Sequence, residues 1–204
     1  TVFERLQEMI LTRVIKPGER INESKLSTEL GISRGPIREA CRQLERHGMV
    51  EVRTNRGTFV KEINANEIVD LYEIRAVLDQ YAGEKAALLI DEHDIETLSS
   101  YLNEMTEAVQ SSDTWRYFNA NIAFHNAIFH ISGNRTLPDL YEGLINRCTL
   151  FRKTSLSLPG RLPQSLRHHK EIFDALRNKD SERAGQLMKN HVLDAKNVLI
   201  RSLD

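Results

Sequence analysis

Residues 30–60, LGISRGPIREACRQLERHGMVEVRTNRGTFV, decide the fold. Ser33 has the short oxygen-bearing side chain that suits the start of a helix, where an orphan backbone N–H needs an acceptor. Behind it Ile37, Ala40, Cys41 and Leu44 recur at i, i+3, i+4 and i+7, the period of one buried helical face. Arg34, Arg38 and Arg42 follow at i, i+4 and i+8 on another stripe, so three guanidinium groups leave one short helix together. Gly48 stands where a helix ends on a left-handed residue. Val50 and Val52 alternate with Glu51 and Arg53, Asn55-Arg56-Gly57 supplies turn chemistry, and Thr58-Phe59-Val60 returns. A helix followed by a small basic hairpin is the reading end of a winged helix-turn-helix.

Such a layout suits duplex DNA for geometric reasons. The major groove admits one α-helix, and side chains near its N-terminus reach base edges. Arginine presents a planar fork that matches guanine O6 and N7, and a helix N-terminus favours phosphate. The hairpin then lies along a neighbouring groove, with Arg53 and Arg56 near phosphate or the minor groove. An arginine stripe seen alone is most often a solvated helix face. The preceding helix, the short turn and the wing, in that order, turn the reading toward DNA.

The segment PGERINESKLSTELGISRGPIREACRQLERHGMVEVRTNRGTFV resembles the DNA-binding domain of GntR-family bacterial transcription regulators of the FadR-type subfamily. The matching pieces are Pro17-Gly18, Leu26, Leu30-Gly31, Ser33-Arg34, Pro36, Arg38-Glu39-Ala40, Leu44, Gly48 and Arg56-Gly57. The resemblance implies that Ser33, Arg34, Pro36, Arg38 and the wing Gly57 approach DNA, with Arg34 and Arg38 reading bases and Arg42, Arg53 and Arg56 beside them. Cys41 departs from the Leu that the family usually carries. Its place on the apolar face reads as a small core residue rather than a sensing thiol.

Composition bounds the rest. The 204 residues suffice for one large domain or two small ones, and no apolar run is long enough to span a membrane. No basic-then-apolar leader opens the chain, while Thr1 in place of Met points to residues upstream. Cys41 and Cys148 are the only cysteines and have neither zinc nor redox spacing, so a reduced, cytoplasmic protein is expected. Residues 1–62 carry twelve Lys or Arg against nine Asp or Glu, and residues 63–204 sixteen against twenty. A mildly basic head on an acidic body fits one end meeting nucleic acid.

Residues 2–14 read as a helix with Val2, Leu6, Met9, Ile10 and Val14 on one face. Pro17-Gly18 breaks it, and Asn22 caps a second short helix that Gly31 closes. The pattern turns from strand-like to helical around Ile63–Asn66. The winged head is therefore placed at residues 1–63 and a helical body at 66–204, joined without the Gly/Ser run of a loose tether. In the body, Glu67–Ile90 (with Leu71, Tyr72 and Val77 facing a core), Asp91–Gln110, Thr114–Ser132, Leu137–Leu156 (with Leu140, Leu144 and Cys148), Gln164–Asn178 and Ser181–Leu203 all carry the helical period. Pro159-Gly160 and Pro163 read as loop. The fold class is mostly α, a winged helix-turn-helix plus an all-α bundle of six to seven helices.

His125 lies four residues after Asn121, so the two share a helical face, and His169 and His191 lie on the last two helices. Facing helices of a bundle can bring such groups together around a divalent metal, while any one of these histidines alone is more often packed or exposed. Zinc, nickel, cobalt, manganese or iron would all accept three imidazoles. The stretches around Asn121–His125, around His169 through Ala175-Leu176, and Ala184 through His191 resemble the FCD ligand-binding domain of FadR-type regulators. That resemblance implies a metal on His125, His169 and His191, with Asn121 in the place of the family's acidic ligand and able to coordinate through its side-chain oxygen. Losing one negative charge leaves more to an anionic effector. His130 and His168 read as structural or supporting, and His47 and His93 as exposed at helix ends. Arg75 matches an arginine common in the family; it reads equally as an effector-carboxylate partner and as a bridge to an acidic neighbour. Arg147 and Arg152, on the fourth helix of the body, are further candidates for that anion.

The leading function is a dimeric, metabolite-responsive transcription regulator, a repressor by family habit. It binds a pseudo-palindromic operator and responds to a small carboxylate. Two alternatives stay open. One is a metal-dependent enzyme acting on small carboxylates, although Glu171 is two residues from His169 and faces elsewhere. The other is a helical domain with a purely structural metal.

Overall fold

The computed structural model describes residues 1–62 and 64–202. Ile63, at the expected boundary between head and body, and Leu203 and Asp204, at the expected end of the last helix, lie outside the described residues.

The head runs α1 (Val2–Leu11), α2 (Glu23–Leu30), α3 (Arg34–Arg46), β1 (Val50–Arg53) and β2 (Gly57–Val60). Local chemistry sets each boundary. Thr1 and Glu4 form a capping box on α1, and the Asn22 side chain accepts from the N–H groups of Ser24 and Lys25. Gly31 closes α2 at φ 65°, in the left-handed region. α1 is shorter than its apolar face suggests. The chain reverses at Arg13, φ 59°, which turns Val14 out to solvent and tucks Ile15 in. Ser33 stands at the N-cap of α3 but makes no side-chain cap bond, contrary to the expected role. Ile37, Ala40, Cys41 and Leu44 are all buried, as their spacing requires. β1 and β2 pair antiparallel with Val50 opposite Val60 and Arg53 opposite Gly57, and a bridge from Arg20 to Phe59 lengthens the wing's base.

The body comprises α4 (Ala65–Leu89), α5 (Glu92–Gln110), α6 (Thr114–Ile131), α7 (Leu137–Leu156), α8 (Arg161–Arg177) and α9 (Ser181–Arg201). Asn64, Asp91, Asp113 and Asp180 cap four of these helices through side-chain bonds to backbone N–H groups. α8 begins three residues earlier than the proline pattern suggests. Pro163 falls in its first turn, where its missing N–H would have no intrahelical partner anyway. Val77 and Leu140, expected in the core, are 63% and 58% exposed.

α4 is the spine. It packs most extensively on α9, and the two backbones come close enough that Gly83 has no room for a Cβ: one would sit 2.9 Å from the Ala184 carbonyl oxygen. One apolar cluster fills the bundle around Phe124, Ile128, Phe129 and Ile172. A second runs without a break from Leu6, Ile37 and Leu44 of the head into Ile68, Tyr72, Phe151 and Leu199 of the body. Head and body therefore share a core. Among the described residues no helix is long and apolar enough to cross a membrane.

Candidate nucleic-acid interface and metal centre

α3 buries one face and offers the other. Ser33, Arg34, Pro36, Arg38 and Arg42 are all exposed. Arg38 Nε donates to Glu23 Oε2 at 2.7 Å and Arg42 lies 3.5 Å from Glu39, while Arg34 has no ion pair among the described residues. Such exposed pairs are worth only about 0–1 kcal/mol, so these guanidinium groups are cheaply redirected to another anion. On the wing Arg56 is exposed, and Arg53 is half-buried, held by Glu51 at 2.6 Å and lying 4.4 Å over the Phe59 ring. Gly57 adopts φ 99°, and a Cβ there would come within 3.0 Å of Arg20 Nε. Cys41, behind this surface, is pushed up to about 11 by burial and then by Glu23, so it stays a neutral core thiol.

In the body, α6 supplies Asn121 and His125, α8 His169 and α9 His191, and all four side chains are buried. One ligand atom from each imidazole lies within 4.8 Å of the others. The hydrogen bonds set the tautomers. His169 Nδ1 lies 2.7 Å from the Ser165 carbonyl oxygen, which accepts its proton and leaves the Nε2 lone pair facing inward. His125 Nδ1 lies 3.2 Å from Asp79 Oδ1, close but out of line for a full hydrogen bond. That contact turns His125 Nε2 inward too, 3.3 Å from His169 Nε2. Burial lowers His125 and takes His169 and His191 well below the usual imidazole range, with neighbouring histidines adding to the effect on the latter two. Neutral imidazoles are metal ligands, whereas two facing lone pairs with no proton between them repel.

The donor set fits a divalent ion. Two nitrogens each about 2.0–2.1 Å from a tetrahedral zinc stand roughly 3.3–3.4 Å apart; the His125–His169 Nε2 pair matches this at 3.3 Å, and the ligand atoms of all three lie within 4.8 Å of one another. Asn121 behaves differently from the expected ligand. Its Oδ1 accepts from Arg152, so its Nδ2 is the atom facing His169 Nε2, at 3.3 Å. An amide nitrogen offers no lone pair to a metal.

Arg75 and Arg152 are both buried beside this cage, and their side chains line a cavity of about 20 Å³ with Asn121, His191 and Arg161. Arg75 lies 3.5 Å from Asp79 and Arg161 pairs with Asp194, while Arg152 has no carboxylate partner among the described residues. Desolvation, then Arg75, lowers Arg152, as expected of a buried cation short of anions. Arg147 is not brought to this group: it is exposed and reaches Glu67 at 3.3 Å. His168 stands one ring away, its centroid 5.7 Å from that of His191, and His47, His93 and His130 are exposed. Asp79 and Arg161 are the participants that spacing did not single out. Asp79 does sit at i+4 from Arg75 and so shares its face, the one signal available.

Comparison with known proteins agrees with both halves. Residues 1–60 match the model of bacterial regulatory proteins of the gntR family, and residues 70–194 match the FCD domain. The chain is 33% identical over 195 residues to the uncharacterized HTH-type transcriptional regulator YdhC of Bacillus subtilis, covering 94% of this chain and 84% of that one. It is 26% identical over 193 residues to the HTH-type transcriptional repressor RspR of Escherichia coli, with the same coverage. The solved structure of E. coli McbR/YncC superposes with a TM-score of 0.73 at 23% identity, over 100% of this chain and 97% of that one, and so shares the fold.

Proposed function

The chain belongs to the GntR family of bacterial regulatory proteins and carries an FCD domain, a family of transcription regulators and not of enzymes; from that premise we propose a cytoplasmic, metabolite-responsive repressor. In this reading the head, residues 1–63, inserts α3 into a major groove, with Arg34 and Arg38 on base edges and Ser33, Pro36, Arg42, Arg53, Arg56 and Gly57 on the backbone and flanking groove. The body, residues 66–204, holds a divalent ion, zinc in the first instance, on His125, His169 and His191. A bound ion would supply a Lewis-acidic position for one carboxylate oxygen. The chain's own part is to clamp the remainder of that carboxylate with Arg152 and Arg75, while Asn121 keeps Arg152 in place.

The observation that carries this reading is a charge imbalance. Two buried guanidinium groups, Arg75 and Arg152, stand beside the three imidazoles, and among the described residues Asp79 is the one carboxylate that pairs with either. Buried charges persist when they are paired, so the arrangement calls for an anion. An apolar stripe on α4 supports a homodimer in this reading: Ile74, Val77, Tyr81 and Leu88 are 57%, 63%, 38% and 58% exposed on one helical face. A second copy covering that stripe would place two heads on a two-fold operator.

The test is selection of duplexes from a random pool by the zinc-loaded chain, then addition of small hydroxy- and keto-carboxylates to the selected complex. The reading expects a pseudo-palindrome that at least one acid releases. Arg152→Met should keep the duplex affinity and lose the release. Release that persists in Arg152→Met, or no release across the panel, would reject the effector assignment. The small cavity supports a second reading, a structural ion: about 20 Å³ is room for roughly one water, so an effector would have to open the site.

A further inference from the structure

An apolar recess containing an unanswered charge lies at the seam of head and body. Phe3 and His47 of the head face Trp115, Phe118 and Ile122 of α6 across a cleft of about 450 Å³. Lys153 of α7 closes it. The lysine is 4% exposed, with Nζ 3.9 Å from the Trp115 ring centroid and 4.7 Å from that of Phe118. No carboxylate lies within ion-pair distance of Nζ among the described residues, and Asp139 and Glu142, which line the same cleft, are both exposed. A lysine buried this deeply without a counter-ion is costly to keep charged. Burial, and then Arg152, bring it down to about 7. His47, on the facing wall, is lowered by partial desolvation of its ring and then by Lys153.

We infer that this cleft is a second ligand site, which takes an aromatic monocarboxylate with its carboxylate on Lys153 and its ring among Trp115, Phe118 and Ile122. The ammonium supplies the point charge and the aromatic rings supply area, with Asn119 and Asn126 also lining the cleft. The site adjoins the cage without being part of it: both Arg152 and Lys153 touch the Phe118 ring, at 5.5 and 4.7 Å from its centroid, but Arg152 reaches on to Asn121 and Lys153 to Trp115. An occupant would touch both the head and α6.

Trp115 is the only tryptophan of the chain, so its emission reports the cleft directly. Benzoate is the probe and benzamide, its uncharged counterpart, the comparison. The inference expects benzoate to change Trp115 emission saturably, benzamide to need at least tenfold more, and Lys153→Met to weaken benzoate at least tenfold. A chelator should leave the benzoate response in place. The inference is overturned by a response that rises linearly without saturating, by equal responses to benzoate and benzamide, by a folded Lys153→Met chain that binds benzoate as the unaltered one does, or by loss of the response with chelator, which would put the acid on the cage. Should Lys153→Met fail to fold, the benzoate–benzamide comparison on the unaltered chain still decides.

Discussion

Asp79 governs what His125 can do. Fully buried and 3.2 Å from His125 Nδ1, it orients the ring and raises the basicity of the nitrogen that faces the cage. Asp79→Asn keeps the shape and removes the charge, so zinc affinity should fall by about 10–100-fold, the usual cost of such a supporting partner, as read by competition with a chromogenic chelator. Lys153 carries a different prediction. Its folded value, about 7, lies below its ordinary 10.5, so between those two values the unfolded chain binds more protons than the folded one. Stability therefore rises as the pH climbs from 7 toward 10.5, and below 7 that gain is absent. Urea denaturation across the window should show the rise in the unaltered chain and a flatter profile in Lys153→Met. The arginine stripe could be read from sequence because helical spacing fixes which side chains share a face, whereas the three histidines, on three separate helices, are grouped by the resemblance to the FCD domain. Asp79, Arg161 and Lys153 could be read from neither. Their roles come from which helices face one another, and a period along one helix carries no such information.

Helices and their ends were largely written in local chemistry. Asn22, Gly31, Asp91 and the full span of α7 follow from caps and apolar period. Where expectation and structure part, a specific competitor won. Pro163 is tolerated in a first turn, and Ser33 leaves its cap bond unmade on an exposed surface. Val77 and Leu140 keep the period of a core yet face outward, since periodicity marks an apolar face without naming what covers it. Two elements give predictions. On α3, Arg38→Ala removes one exposed pair with Glu23 and should leave the melting temperature nearly unchanged, while specific duplex affinity drops by about 1–3 kcal/mol. Fluorescence anisotropy beside a thermal melt separates the two effects. On the α4–α9 seam, Gly83→Ala forces a Cβ to 2.9 Å from both the Ala184 carbonyl oxygen and Met188 Cγ. Overpacking of this kind costs about 1–3 kcal/mol. The melting temperature should fall by about 2–4 °C for each of them, as calorimetry would measure.

At the scale of the whole molecule the winged head and the FCD body share one apolar cluster, so a change in the body has a packed route to α3. α7 is the element that touches everything relevant: Arg152 at the cage, Lys153 at the seam, Phe151 in the shared core. A ligand can shift such an assembly only by favouring one arrangement over another, and these three neighbours on one helix are where that preference would be expressed. The effector response assigned to the cage presupposes that the imidazoles of His125, His169 and His191 hold an ion. The most direct measurement is calorimetric titration of the chelator-stripped chain with zinc. The account predicts saturation at one ion per chain for the unaltered protein and no saturable binding for His169→Ala. Absence of binding to the unaltered chain, or an unchanged isotherm in His169→Ala, would contradict it.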